Sequence, residues 1–101
     1  MIQKEQTLVN QVIAYLKLKG HYVWRQNTGS MYSKDNRFVR FGFKGVSDII
    51  GIALDGRMIA VECKVGYNKP TQFQKDFLEE IQSRGGYAIL CYKLEDIENI
   101  L

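Results

Sequence analysis

Cysteine, histidine and long apolar runs are scarce in this chain of 101 residues, and each scarcity excludes a class of protein. No run approaches the roughly 20 apolar residues of a membrane span, and residues 1–5 lack the apolar segment of a secretory signal. We therefore expect a cytoplasmic protein of a bacterial, phage or viral host cell, with no membrane partner. The lone His21 has no partners for a zinc site. Cys63 and Cys91 could form a disulfide only on adjacent strands in register, so we expect reduced, buried thiols.

The composition predicts one domain over residues 1–101, because 46% hydrophobic and 12% aromatic residues are enough for one modest core. The net charge of +3 is unevenly spread: cations predominate between residues 17 and 44, and acids between residues 76 and 98. This polarity suits a polyanionic partner on one side of the molecule. An ordinary solvated surface is equally compatible, so charge alone does not decide the partner.

Apolar periodicity and turn residues predict the order of helices and strands. The predicted helices cover residues 4–19, 71–84 and 94–101, and the predicted strands cover residues 21–26, 47–54, 57–64 and 87–92. Gly20 is placed to end the first helix, and Thr71 with Gln74 has capping-box spacing at the start of the second. We expect Phe73, Phe77, Leu78 and Ile81 to be its buried stripe. The right-handed crossover rule makes the last strand parallel to strand 57–64. The chain is therefore predicted to be an α/β domain with a mixed central sheet flanked by helices.

Residues 27–43 are rich in polar, aromatic and basic residues, and their pattern leaves several structures open. A polar turn is predicted at residues 27–30, and a hairpin or a long mobile loop at residues 32–43. The alternating Arg and Phe residues there are compatible with a half-buried strand, a dimer surface or a ribbon that faces nucleic acid.

Three charged residues lie inside two strands that are otherwise apolar enough to be buried: Asp48, Glu62 and Lys64. Ionised groups belong in a core only where something there needs them. A divalent cation held by Asp48 and Glu62 is the simplest explanation, because Mg²⁺ takes carboxylate oxygens and keeps several waters. Lys64 follows Glu62 by two residues and therefore projects to the same side of its strand.

The register of the central hairpin decides whether the two acids can share a cation. A two-residue turn at Asp55-Gly56 would set Asp48 opposite Cys63 and leave Glu62 on the other face. A three-residue loop, Leu54-Asp55-Gly56 with Gly56 in the left-handed region, sets Asp48 opposite Glu62. We predict the second register, or a bulge near Gly51 with the same effect.

The spacing of these charged residues resembles the PD-(D/E)xK nuclease superfamily. An Asp is followed, after thirteen intervening residues, by Glu-x-Lys, and the two acids lie on consecutive predicted strands that precede a helix and a strand. Within that superfamily, the chain most resembles the VRR-NUC family of virus-type replication and repair nucleases. The residues that carry this resemblance are Gly45-Val46-Ser47-Asp48, Val61-Glu62-Cys63-Lys64, Gln72 and Gly85-Gly86-Tyr87-Ala88. The likeness runs from Glu5 to about Tyr92. One departure is that Ser47 stands where the superfamily's name has proline, which many members also lack.

This resemblance implies a single-domain restriction-endonuclease-like fold and an Mg²⁺- or Mn²⁺-dependent endonuclease acting on DNA. It implies that Asp48, Glu62 and the Cys63 backbone carbonyl bind the metal, and that Lys64 orients or activates the attacking water. Gln72 would reach the site from the second helix, although an amide that merely caps that helix is equally compatible.

Glu5 is implied to be the acid of the first helix that completes or polarises the site. The residue pattern is compatible with this role, because Glu5 lies at the head of the helix's inward stripe. A solvent-exposed glutamate that complements the helix dipole is the alternative.

Small members of the family, and the similar archaeal junction resolvases, act as homodimers on branched DNA, so the resemblance implies a homodimer that resolves four-way (Holliday) junctions. Our candidates for contact with the DNA backbone are Arg25, Asn27, Lys34, Arg37, Arg40 and Lys44. Nicking of flaps or forks and restriction-like cutting within a larger complex are alternatives. A catalytically decayed nucleic-acid-binding module is another, but Asp48, Glu62 and Lys64 are all retained.

Overall fold

A computed structural model of the chain describes residues 4–26, 29–32, 38–41 and 43–101, with only the backbone described for 29–32 and 38–41. The elements in chain order are α1 (Glu5–Leu18), β1 (Tyr22–Arg25), β2 (Gly29–Tyr32), β3 (Phe38–Phe41), β4 (Ile49–Ile52), β5 (Met58–Cys63), α2 (Gln72–Ser83), β6 (Tyr87–Cys91) and α3 (Leu94–Glu98). The predicted order of elements is confirmed.

The first helix ends where its sequence predicts. Gly20 has a φ of 94° and donates its N–H to the Lys17 carbonyl, while the N–H of His21 reaches the Leu16 carbonyl at 3.0 Å. These two bonds satisfy carbonyls that the helix end would otherwise leave unpaired, which is the Schellman arrangement. The chain therefore turns sharply from α1 into β1.

Four strands form a mixed sheet in the order β1-β4-β5-β6. β4 is antiparallel to both of its neighbours, whereas β6 is parallel to β5, as the crossover rule predicts. β2 and β3 form a separate antiparallel pair, which agrees with the hairpin alternative, although the first strand lies at Gly29–Tyr32 and not within residues 32–43. The predicted turn at residues 27–30 is wrong for Gly29 and Ser30, because both pair with β3; Asn27 and Thr28 lie outside the described residues.

The central hairpin adopts the register that opposes the two acids. Ile49 pairs with Val61, and the Ala53 N–H donates to the Arg57 carbonyl at 2.8 Å, which encloses the loop Leu54-Asp55-Gly56. Gly56 has a φ of 89°, a conformation that costs other residues free energy because of their Cβ. One step beyond the Ile49–Val61 pair, Asp48 falls opposite Glu62.

One face of the sheet carries the buried core. The apolar stripe of α1 packs there against inward residues of all four strands and against Ile97 of α3; the stripe residues are Leu8, Val9, Val12 and Leu16. Cys63 and Cys91 are part of this core and are register partners in β5 and β6. Both are buried, free thiols in the structure, on adjacent strands that are in register.

α2 packs against β5 and β6 and contributes no residue to the described core cluster, so it covers the opposite face of the sheet. Its capping box between Thr71 and Gln74 is confirmed. The prediction of a fully buried stripe is wrong: Phe73 is 51% exposed, and Phe77, Leu78 and Ile81 are only half-buried. A helix that lies on the outer half of a four-stranded sheet has too little sheet beneath it to bury a complete stripe.

The last helix is shorter than predicted, since α3 ends at Glu98. Among the described helices, none combines the length and the apolarity that a membrane crossing requires.

The loop that leads into β4 rests on the first turn of α2, and Gly45 makes the contact possible. Gly45 has a φ of 86°, and a Cβ at this position would overlap the Phe73 carbonyl. Since the same loop runs directly into Ser47 and Asp48, this contact positions the candidate site.

We predict that Gly45→Ala destabilises the protein more than Gly56→Ala. Both residues have a positive φ, which costs alanine about 1–2 kcal/mol. Only Gly45 also faces a backbone atom, which adds about 1–3 kcal/mol of overpacking, whereas Gly56 has open space. Urea unfolding of both variants measures the difference, and equal losses would contradict the contact.

Candidate metal centre

Asp48 and Glu62 lie side by side where β4 begins and β5 ends. The backbone N–H of Cys63 donates to Asp48 Oδ2 at 2.8 Å, which holds the Asp48 side chain against β5. Glu62 alternates with the core residues Val61 and Cys63, so it projects to the face that α2 partly covers. The predicted opposition of the two acids is therefore present in the structure.

Glu62 is only 2% exposed, and its environment disfavours the ionised carboxylate. Burial, followed by the negative charge of Asp48, raises the pKa of Glu62 to about 8. The charge of Lys64 opposes this rise without cancelling it. Among the described residues, Glu62 Oε2 is buried without a hydrogen-bond partner. Such an oxygen is unfavourable unless a proton or a cation satisfies it.

Lys64 shares this corner with Glu62, as the spacing of two residues predicts. Its Nζ lies 3.8 Å from Glu62 Oε1, and its side chain is only 14% exposed. The Lys64 backbone N–H donates to the Cys91 carbonyl at 2.9 Å and so continues the parallel ladder between β5 and β6. The ammonium group is therefore held beside the acids by a fixed backbone.

Cys63 contributes its backbone to the site and its thiol to the core. Its N–H points toward β4, where it meets Asp48, and in an extended strand the carbonyl of the same residue points to the same side. A hydrogen bond with Cys91, together with burial, raises the pKa of the Cys63 thiol, so the thiolate that binds metals is disfavoured. The predicted role of the carbonyl fits this placement.

Glu5 is the first residue of α1 and is half-buried. Its charge contributes to the raised pKa of Glu62, so it lies within electrostatic reach of the site. This placement favours the interpretation of Glu5 as a site acid over that of a glutamate fully in solvent.

Gln72 begins α2, and its side chain is engaged elsewhere in this structure. Its Nε2 donates to Asp76 Oδ1 at 2.8 Å, one turn further along the same helix, and the contact is exposed. Thr71, not Gln72, is the capping residue. The role of Gln72 in the site stays a prediction.

The candidate DNA contacts are placed unevenly. Arg25 is exposed at the end of β1, next to the acids' end of the sheet. Lys44 is exposed on the loop before β4, where its Nζ lies 3.9 Å from the centre of the Phe73 ring. Arg40 belongs to β3, where only the backbone is described. Asn27, Lys34 and Arg37 lie outside the described residues.

Within the described part of the chain, no three His, Cys, Asp or Glu side chains form a metal-binding group. The donors that do meet are two carboxylates, one of them with a buried, unsatisfied oxygen, and a neighbouring backbone carbonyl. This set fits Mg²⁺ or Mn²⁺, which commonly take one or two carboxylates and complete their shell with water and substrate phosphate. It does not fit zinc, which prefers nitrogen and sulfur ligands.

Two exposed aromatic residues near this corner were missed by the sequence analysis: Tyr22 and Trp24 of β1. Strand alternation could have identified them. Val23 faces the core, so Tyr22 and Trp24 on either side of it must point to solvent or to a partner.

Comparison with known protein families, curated proteins and solved structures gives no match to this chain.

The raised pKa of Glu62 predicts how stability depends on pH without metal. Between pH 4.5, the ordinary pKa of the group, and about pH 8, the folded protein holds a proton that the unfolded chain has lost. The free energy of unfolding should therefore fall as the pH rises through this range. Each pKa unit realised is worth about 1.4 kcal/mol, or about 6–11 °C in Tm for a domain of this size.

Thermal melts in EDTA at pH 5.5 and pH 8 test this prediction. Glu62→Gln should reduce the decrease in Tm between these two pH values and should melt above the wild type at pH 8. Glu79→Gln, on the exposed side of α2, should leave that decrease unchanged. An equally steep fall in Glu62→Gln would show that Glu62 is not the titrating group.

Proposed function

We propose that this chain is a metal-dependent, structure-selective DNA endonuclease with a restriction-endonuclease-like fold, related to the VRR-NUC nucleases. The observation that carries the proposal is the buried Oε2 of Glu62, which lacks a partner among the described residues and lies in a corner shared with Asp48 and Lys64. A purely structural role gives no reason to place two acids together in this position.

Asp48, Glu62 and the Cys63 carbonyl would hold Mg²⁺ or Mn²⁺. Such an ion lowers the pKa of its bound water and offsets the charge of a phosphate. The protein's own contribution is to fix the ligands. The Cys63 N–H donates a hydrogen bond to Asp48 Oδ2 and so orients the Asp48 carboxylate, while the hairpin register sets Glu62 beside it.

Lys64 supplies a compact positive charge next to Glu62. Its three donors suit it to orient the attacking water and to offset the charge that grows on the phosphate oxygens. Glu5, at the start of α1, adds a further negative charge that polarises the corner.

The substrate we propose is branched DNA, with a four-way junction as the first choice. One such site cuts one strand, so symmetric cutting of a junction calls for a homodimer with two sites related by a twofold axis. Cations such as Arg25 and Lys44 would contact phosphates, which gives recognition of shape more than of sequence.

We predict that Lys64→Ala loses cleavage by a factor of about 10²–10³, the loss typical of one preorganised electrostatic group. Binding of the DNA should stay close to that of the wild type, because the lysine lies in the corner and not on the open surface. Lys75→Ala removes the same charge from an exposed site on α2 and should cleave normally. Cleavage by Lys64→Ala at the wild-type rate would remove the lysine from the mechanism.

A comparison of four-way, flap, forked and linear duplex substrates in Mg²⁺ and Mn²⁺ tests the substrate class. We expect two symmetric nicks in the four-way junction and little cutting of linear duplex. Preferred cutting of flaps or forks would support the alternative of a nicking enzyme for branched DNA. Binding without any metal-dependent cutting would point to a decayed binding module and contradict the enzymatic proposal.

A further inference from the structure

β1, an edge strand of the four-stranded sheet, exposes two aromatic side chains on one face. Tyr22 is 72% exposed and Trp24 40% exposed, and their ring centres lie 5.8 Å apart in an edge-to-face arrangement. Large aromatic side chains in solvent are unfavourable, and a contiguous pair of them commonly marks a binding surface. The nuclease chemistry proposed above does not use them.

The pair lies on the same face of the sheet as the two acids. Trp24 is the register partner of Ile50, and Asp48 precedes Ile50 by two residues, so all three project to one side. Diagonal neighbours of this kind are about 7–8 Å apart. The Gln26 N–H also donates to the Asp48 carbonyl at 2.8 Å, which ties the end of β1 to the metal centre.

The indole ring of Trp24 is held in place by its own neighbour. Its Nε1 donates to Gln26 Oε1 at 3.0 Å, so its one polar group is satisfied within the protein. A flat face that is already oriented loses little conformational freedom when a second ring stacks on it.

The groove along β1 carries a positive charge at its border. A groove of about 420 Å³ runs along β1, within the size range of small-ligand sites, and its described lining residues are Lys17, Gly20, His21, Tyr22, Val23 and Trp24. Among the residues that the structure describes, this lining includes the cation Lys17 and no acid, whereas the exposed Arg25 follows Trp24 and so projects to the other face of β1. An aromatic platform bordered by a cation suits a nucleotide, whose base stacks while its phosphate meets the positive charge.

We propose that Trp24 and Tyr22 form a stacking platform for an unpaired base, adjacent to the phosphate that a metal ion at Asp48 and Glu62 would bind. A base within a duplex is stacked on both sides, so only an unpaired or flipped base offers a free face. The platform would thus select strands with unpaired nucleotides next to the cut. Its position relative to the scissile phosphate rests on the proposed nuclease function, whereas base stacking itself does not.

The first test uses the fluorescence of the wild-type protein, because Trp24 is the only tryptophan in the chain. The protein is titrated in EDTA, which prevents cleavage, with a short oligo(dT) and with an abasic oligonucleotide of the same length and charge. We expect saturable quenching by oligo(dT) and much weaker quenching by the abasic strand. Equal quenching by both, or none by either, would overturn the proposal.

The second test measures the affinity of labelled oligo(dT) by fluorescence anisotropy. Trp24→Ala should weaken binding by about 5- to 150-fold, the loss typical of one stacked base, and Trp24→Phe should restore most of it. Ile52→Ala, an exposed apolar residue on the same face in β4, is the matched control and should bind normally. Thermal melts confirm that the variants are folded, and wild-type affinity in Trp24→Ala would overturn the proposal.

Both readouts are independent of cleavage. Base-dependent quenching in a protein that cuts no DNA would contradict the nuclease and leave the platform standing. Metal-dependent cutting without base-dependent quenching would overturn the platform and leave the proposed nuclease function standing.

Discussion

The carboxyl groups of Asp48 and Glu62 repel each other in one buried corner of the sheet. The groups around them are arranged so that part of this repulsion is offset. The three-residue loop at Leu54-Asp55-Gly56 sets the register that brings Asp48 opposite Glu62. The Cys63 N–H and the Lys64 ammonium offset part of the negative charge. They do not offset all of it, because the pKa of Glu62 is raised to about 8. A bound cation would remove the remaining imbalance.

The rest of the fold keeps this corner from relaxing. On one face, α1 and the inward residues of the strands form a packed core, so β4 and β5 cannot slide without exposing it. On the other face, α2 packs against β5 and β6, and its first turn supports the loop that leads into Asp48. Stability is thus concentrated in the apolar layers, while the unfavourable charges are confined to one end of the sheet, a distribution often found at functional sites.

The sequence was informative where local rules act alone. The end of α1, the capping box of α2, the parallel strand β6 and the hairpin register all follow from turn chemistry, strand alternation or crossover handedness. It was less informative where burial depends on how much sheet lies beneath an element. Phe73 has the spacing of a core residue but stays largely exposed, and the aromatic face of β1 was overlooked because strand alternation identifies two faces without saying what covers each. No local pattern supplies that information.

The central claim is that Glu62 exchanges a proton for a divalent cation, and calorimetric titration with Mn²⁺ at pH 7 tests it most directly. Because the pKa of Glu62 lies near 8, most of the metal-free protein carries the proton at this pH and must release it on binding. Titrations in buffers of different ionisation enthalpy should give about one proton released per ion, and the same titration of Glu62→Gln should show no binding. Binding without proton release, or equal binding by the variant, would contradict the account.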